Sequence, residues 1–156
     1  MTVWYNPADG SLHDDMDGAA LSLPSWPLGM KEATAEQINP PLTLEQAQAV
    51  QLAVIAADFQ TAASASVADS NGNVWNGGES SALSIYGAVQ LAQAGGAATV
   101  SLFDVSNAPH ALTISQGTAV AAAIGAAYQA DFAKYQGLKV KIAAATTATE
   151  VQAITW

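Results

Sequence analysis

The stretch Leu44-Glu-Gln-Ala-Gln-Ala-Val-Gln-Leu-Ala-Val-Ile-Ala-Ala-Asp-Phe-Gln-Thr-Ala-Ala63 carries the most regular pattern in the chain. Apolar residues recur along it at helical intervals, and glutamines fill much of the remaining surface. The recurring residues are Leu44, Leu52, Ile55, Phe59 and Ala62. This pattern predicts an amphipathic helix over about residues 44–63, and the interpretation of the other segments starts from it.

Two hairpins and a second helix are predicted on the C-terminal side of this helix. Asp69-Ser-Asn-Gly72 lies between two short β-compatible runs, and Asn-Gly is a strong hairpin signal. A helix capped by Ser80 or Ser81 is expected next, ending at a pair of glycines. The alternating run Thr99–Asp104 and the returning run Ala111–Ile114 then predict the second hairpin.

The last part of the chain predicts a long helix and a short one. Ser115 is the expected cap of the long helix, and a break is expected near Gly137 because glycine disfavours helix interiors. Thr147 and Glu150 form a capping-box pattern for the short helix, and the terminal Trp156 is expected to dock. The order helix, hairpin, helix, hairpin, helix predicts an α+β fold with a small antiparallel sheet packed against helices.

Residues 1–42 differ in composition from the segment that follows. All of the prolines except Pro109 lie there, and the segment has no sustained periodicity. Val3-Trp4-Tyr5 predicts a short strand closed by the turn Asn6-Pro-Ala-Asp-Gly10. We therefore predict an extended N-terminal arm, or a small irregular subdomain, over residues 1–42 and a globular α+β domain over residues 43–156.

Composition argues against several classes of function. A net charge of −9, with four lysines and no arginine, disfavours binding to nucleic acid or to an anionic membrane. The absence of cysteine rules out disulfides, thiolate metal sites and a cysteine nucleophile. The N-terminus does not resemble a signal peptide, and no apolar run has the length of a membrane span. We expect that the chain is made in a cytoplasm and that it does not insert into a membrane.

No constellation in the sequence predicts catalysis, a cofactor or a metal. His110 and Asp104 lack the Gly-x-Ser-x-Gly elbow that would place a serine nucleophile beside them. The acidic run that begins at His13 fails as an EF-hand because Pro24 stands where the bidentate glutamate belongs. Several carboxylate pairs could be proposed for glycoside hydrolysis, and the sequence favours none of them. We therefore predict a binding or structural protein and not an enzyme.

Three aromatic residues in the N-terminal segment are candidate docking residues. Trp4, Tyr5 and Trp26 lie among few other large apolar residues, so the segment cannot build a core of its own around them. They are expected to dock on the globular domain, on a partner or on a second copy of the chain, since tryptophan and tyrosine are favoured at interfaces. Trp75 and Trp156 are expected to be ordinary core or cap residues.

The C-terminal region resembles a family of uncharacterised domains from tailed bacteriophages and prophages. The resemblance rests on Leu42-Thr-Leu-Glu45, on Lys139-Val-Lys-Ile142-Ala-Ala-Ala-Thr-Thr147 and on Glu150-Val-Gln-Ala-Ile-Thr-Trp156. Such domains lie at the C-terminus of tail-fibre or tail-tip proteins. The segment from Tyr5-Asn-Pro-Ala-Asp-Gly10 to Pro40-Pro-Leu-Thr-Leu-Glu45 also resembles the front of tail-fibre assembly proteins. Neither resemblance supplies catalytic residues.

These resemblances imply three alternatives for the function. The first is a virion component of the tail fibre or tail tip, homo-oligomeric, bound to other phage tail proteins and in contact with a host cell-surface receptor. The second is an assembly chaperone for the fibre that does not remain in the virion. The third is a tail-associated polysaccharide hydrolase. The first is the expected role.

Overall fold

The computed structural model describes residues 2–15 and 29–156. The chain divides into two compact units, Met1–Thr43 and Leu44–Trp156. The second unit contains every helix longer than one turn among the described residues.

The first unit is built on a three-stranded antiparallel sheet in the order β2-β1-β3. Its strands are β1 (Thr2–Tyr5), β2 (Leu12–Asp15) and β3 (Lys31–Glu32), followed by the one-turn helix α1 (Ala35–Ile38). Gly10, with φ of 74°, closes the predicted turn between β1 and β2, and its N–H donates to the carbonyl of Asn6. The sequence predicted an extended arm or a small irregular subdomain here, and the described residues form a small sheet because β1 pairs with strands on both sides.

The second unit confirms the α+β class and the predicted order of elements. Its elements are α2 (Leu44–Ala63), β4 (Val67–Ala68), β5 (Val74–Trp75), α3 (Glu79–Ala94), β6 (Thr99–Phe103), β7 (Pro109–Thr113), α4 (Ile114–Ala144) and α5 (Ala148–Gln152). β4 pairs with β5 and β6 pairs with β7, both antiparallel. The hairpins form two separate sheets, whereas the sequence predicted one. One backbone hydrogen bond joins them, from the N–H of Val105 to the carbonyl of Val74 at 2.9 Å.

The helix α4 is the longest element of the unit, and both other long helices pack on it. Its 31 residues extend over about 46 Å. α3 packs on the N-terminal half of α4, where Val89 lies against Gly117. α2 packs on the C-terminal half of α4, where the Gln48 side chain donates to the carbonyl of Ile142 at 3.1 Å. The predicted break near Gly137 is wrong, because α4 continues through it to bury Leu138 and Ile142.

The second unit has two hydrophobic clusters, one along each half of α4. The first lies among α3, the hairpins and the N-terminal half of α4, and consists of Trp75, Ala82, Val89, Val100, Leu102, Leu112, Val120 and Ile124. The second lies among α2, α5 and the C-terminal half of α4, and consists of Ala47, Ile55, Leu138, Ile142 and Val151. Phe59 lies beside the second cluster, with its ring stacked on that of Tyr135 at a centroid distance of 4.9 Å.

The C-terminal segment docks on the second cluster, as the sequence predicted for Trp156. The predicted capping box is present, because Thr147 accepts from the Glu150 N–H and the Glu150 side chain accepts in return. The Gln51 side chain donates to the carbonyl of Ile154 at 2.5 Å. Lys134 places its Nζ 4.5 Å from the centroid of the Trp156 ring. These contacts hold the segment on α2 and α4.

Candidate functional site

The turns of the two hairpins in the second unit have the same geometry. Each begins with an aspartate, Asp69 or Asp104, whose Oδ1 accepts the N–H groups of the residues two and four positions later at 2.8–3.0 Å. Three positions after each aspartate comes a residue with positive φ, Gly72 at 83° and Asn107 at 60°. This left-handed conformation suits glycine and is tolerated by asparagine. The two turns are therefore equivalent structures with different sequences.

The second oxygen of each aspartate holds a ring six residues later. Asp69 Oδ2 accepts from the indole Nε1 of Trp75 at 3.1 Å, and Asp104 Oδ2 lies 2.9 Å from Nε2 of His110. The two rings meet edge to face with centroids 5.4 Å apart. His110 lies in β7 and packs on the buried Trp75. The two turns are thereby joined through their rings as well as through the backbone.

Hydrogen bonding lowers the pKa of both aspartates. For Asp69, burial raises the pKa, but the bonds from Asn73, Trp75 and two backbone N–H groups together outweigh it. For Asp104, the bond with His110 and the Ala108 N–H lower the pKa. In the described part of the chain no serine hydroxyl is bonded to His110, so the pair forms part of the turn and does not extend to a triad.

The two aspartates predict a loss of stability in acid. A carboxylate with a lowered folded-state pKa stabilises the fold above its ordinary value near pH 4, and this contribution is lost as the pH falls through the folded value. We expect the melting temperature to fall steeply below about pH 4, and to fall less steeply in the double variant Asp69→Asn/Asp104→Asn. Circular dichroism melts between neutral and acidic pH test this. Parallel curves for the two proteins would contradict it.

A small pocket opens between the hairpins and the start of α3. It has a volume of about 210 Å³ and is lined by Asn76, Ser80, Ser81, Ser84, Ile85 and Phe103. We call it the serine pocket. The predicted cap of α3 at Ser80 or Ser81 is wrong, because the helix begins at Glu79 after Gly78, which leaves both serines inside the first turns. Phe103, at the end of β6, is 62% exposed.

A second surface of interest lies between α3 and α4. Its cavity of about 320 Å³ is lined by Ala82, Leu83, Tyr86, Thr118, Ala121 and Ala122. We call these residues the α3–α4 face. Leu83 is 63% exposed and Tyr86 is 49% exposed, so large apolar side chains stand at its rim. The only charged residue between positions 80 and 130 is Asp104, which is already held by His110.

The three aromatic residues proposed for docking have different outcomes. Trp4 and Tyr5 are half-buried neighbours in β1, where Trp4 pairs with His13 and Glu32, and Tyr5 takes the next position in the ladder. Adjacent strand residues point to opposite faces of a sheet, so the two side chains are not on one surface. Trp26 lies outside the described residues. Docking of these residues on a partner stays a prediction.

Two other titratable groups, Glu150 and Tyr128, have shifted pKa values with clear structural causes. Glu150 caps α5, and the Thr146 N–H and hydroxyl lower its pKa. Burial raises the pKa of Tyr128, with Glu79 adding to the effect. Over residues 2–15 and 29–156, no group of three metal-ligating side chains is arranged to hold an ion. Over the same residues, no helix is long and apolar enough to cross a membrane.

The serine pocket was not predicted from the sequence, although the sequence carries one signal for it. β6 alternates strictly, with Val100 and Leu102 buried, so the next odd position, Phe103, had to face outward. An exposed phenylalanine at a strand end is worth attention, because large aromatic side chains are favoured at binding surfaces. Asn76 comes close to the serines of α3 only through tertiary packing, which no local sequence pattern predicts.

The fold and these surfaces define a small α+β module in which two helix–hairpin units pack on one long helix. The chain belongs to the family described as Domain of unknown function (DUF4376), whose profile matches residues 46–155. The match covers nearly the whole second unit, Leu44–Trp156. No curated protein and no solved structure matches the chain significantly.

Proposed function

We propose that this protein is a structural or binding component of a bacteriophage tail, located at the tail fibre or tail tip, and that it assembles as a homo-oligomer. The resemblance of its C-terminal segment to domains of phage tail proteins supports the location. The exposed apolar side chains of the α3–α4 face are the observation that supports the homo-oligomer. Contact with a host cell-surface receptor belongs to the same proposal.

The distribution of charge supports a second copy of the chain as the occupant of the α3–α4 face. The chain carries a net charge of −9, so most surfaces of two copies repel each other. Residues 80–130 contribute one of these negative charges, on Asp104. The residues that line this face are uncharged, so copies that meet there repel each other less than at the acidic surfaces. Leu83 at the rim is a suitable apolar side chain to enter the cavity of a symmetry-related copy.

The assembly predicts a mass in solution above the 15.9 kDa of one chain. We expect Leu83→Glu to give a monomer, because it places a charge in the apolar contact. Light scattering after size-exclusion chromatography measures this. Val140→Glu is the matched control, since Val140 is 69% exposed and lies on the C-terminal half of α4, and it is expected to keep the native mass. A monomeric native protein, or an unchanged mass for Leu83→Glu, would disprove the assembly.

The tail location is tested by mass spectrometry of purified phage particles. The proposal predicts that peptides of this chain are present in particles at a fixed ratio to known tail proteins. Absence from particles together with co-purification with the fibre polypeptide from lysate would favour the assembly chaperone. Shortening of host capsule polysaccharide by the purified protein would favour the hydrolase.

A further inference from the structure

The serine pocket has an unusual chemical character for so acidic a chain. Its polar groups are the three hydroxyls of Ser80, Ser81 and Ser84 and the amide of Asn76, and no charged residue among those that the structure describes lines it. Hydroxyl and amide groups both donate and accept hydrogen bonds. The pocket therefore offers mixed donors and acceptors in a neutral setting.

These four polar side chains are not used by the fold. Along the described chain none of them makes a hydrogen bond to another protein group. Two other helical hydroxyls, those of Thr61 and Thr118, are used by the fold, since they donate to the carbonyls four residues earlier. The serines of the pocket thus keep their hydrogen-bonding capacity for a ligand or for water.

Phe103 adds a nonpolar surface beside these polar groups. Val100 and Leu102 of β6 are buried in the first hydrophobic cluster, but Phe103 is 62% exposed and forms one wall of the pocket. An aromatic face is apolar and carries a partial negative charge. It suits the weakly positive C–H bonds on one face of a sugar ring, while the hydroxyls of that ring meet the serines.

The backbone at two walls of the pocket adjoins residues that the hairpin turns anchor. Asn76 follows Trp75, whose indole is fixed by Asp69. Phe103 precedes Asp104, which organises the second turn through two backbone N–H groups and His110. A site that is ordered before binding loses less conformational entropy when the ligand arrives. The equivalent turns therefore preorganise the pocket.

We propose that the serine pocket binds a neutral saccharide, with Phe103 stacking on a sugar ring and the serine and asparagine side chains bonding to its hydroxyls. Neutral sugars are favoured over acidic ones because no lysine lines the pocket and the chain is strongly negative. The inference rests on the proposed function, for which it names the ligand class of the host-surface contact.

A glycan array of neutral and acidic oligosaccharides, probed with the full chain, tests the inference. We expect binding to neutral glycans, and the neutral oligosaccharides that bind are then titrated by NMR. Phe103→Ala is expected to weaken their binding by about tenfold or more, the equivalent of about 1.4 kcal/mol. Ser81→Ala/Ser84→Ala is also expected to weaken it. Val105→Ala is the matched control, because Val105 is 45% exposed in the adjoining turn but does not line the pocket.

Three results would overturn the inference: an array without bound neutral glycans, a preference for acidic glycans, or equal affinities for Phe103→Ala and the native protein. Each is distinguishable from failure of the proposed function. An array without binding, for a protein that is present in purified particles, would remove the saccharide site and leave the tail role. Absence from particles would remove the tail role, even if the pocket binds glycans.

Discussion

Replacing Gly77 with alanine is expected to destabilise the second unit by about 3 kcal/mol. Gly77 lies in the loop between β5 and α3, and a Cβ atom at this position would collide with the carbonyl oxygen of Ala65. Because the obstacle is backbone just beyond the end of α2, neither side can yield by changing a rotamer. The loop must move, and with it the pocket wall at Asn76 and the start of α3.

Urea unfolding followed by circular dichroism measures this effect, and Gly87→Ala is the matched control. Gly87 lies inside α3 with open space around the position of its missing Cβ atom. Alanine there is expected to stabilise the protein by about 0.5–1 kcal/mol, because it lowers the conformational entropy of the unfolded chain. The two substitutions are chemically identical and have opposite expected signs. Equal unfolding midpoints for Gly77→Ala and the native protein would contradict the close approach.

The elements of the second unit were predictable from local sequence where local signals and packing agree. The helix α2 has the predicted bounds, 44–63, because its periodic segment is followed by small polar residues and a turn. The first hairpin was predictable because Gly72 supplies the left-handed conformation that its turn requires. In both elements the residues that fix the conformation lie within the element.

The predictions failed where distant residues decide the local structure. Leu52 was expected in the buried face of α2 but is 37% exposed, whereas Gln51 is buried because its amide reaches the carbonyl of Ile154. The cap of α4 is Thr113 and not Ser115, because Thr113 forms the capping box with Gln116 as it leaves β7. The partner of Gln51 is brought to it by tertiary packing. Thr113 belongs to the preceding strand, so it is not considered when a cap is sought only among the residues expected to start the helix.

The candidate site shows the same division. The pattern of an aspartate followed six residues later by a ring occurs as Asp69–Trp75 and as Asp104–His110, so the equivalence of the turns was present in the sequence. The order of a helix followed by a hairpin also occurs twice within the second unit, which agrees with the equivalence of the two turns. The meeting of the two rings and the serine pocket depends on how the hairpins pack against α3, and no local signal encodes that.

Replacing Trp75 with alanine is expected to destabilise the second unit by about 3–5 kcal/mol. Trp75 is 1% exposed in the first hydrophobic cluster, so its removal leaves a large cavity in that cluster. It also removes the indole donor to Asp69 and the ring against which His110 packs. Both turns are therefore expected to loosen, and the serine pocket to lose its rigid walls.

Two further variants separate the contributions of Trp75. Trp75→Phe keeps an aromatic ring but removes the N–H donor to Asp69, and is expected to cost about 2 kcal/mol. Phe103→Ala removes an exposed ring in the same region, and is expected to change the free energy of unfolding by less than about 0.5 kcal/mol. The urea unfolding midpoint is therefore expected to be highest for Phe103→Ala, lower for Trp75→Phe and lowest for Trp75→Ala. If Trp75→Ala were as stable as Phe103→Ala, Trp75 would not hold the two turns together, and the rigid pocket would lose its structural basis.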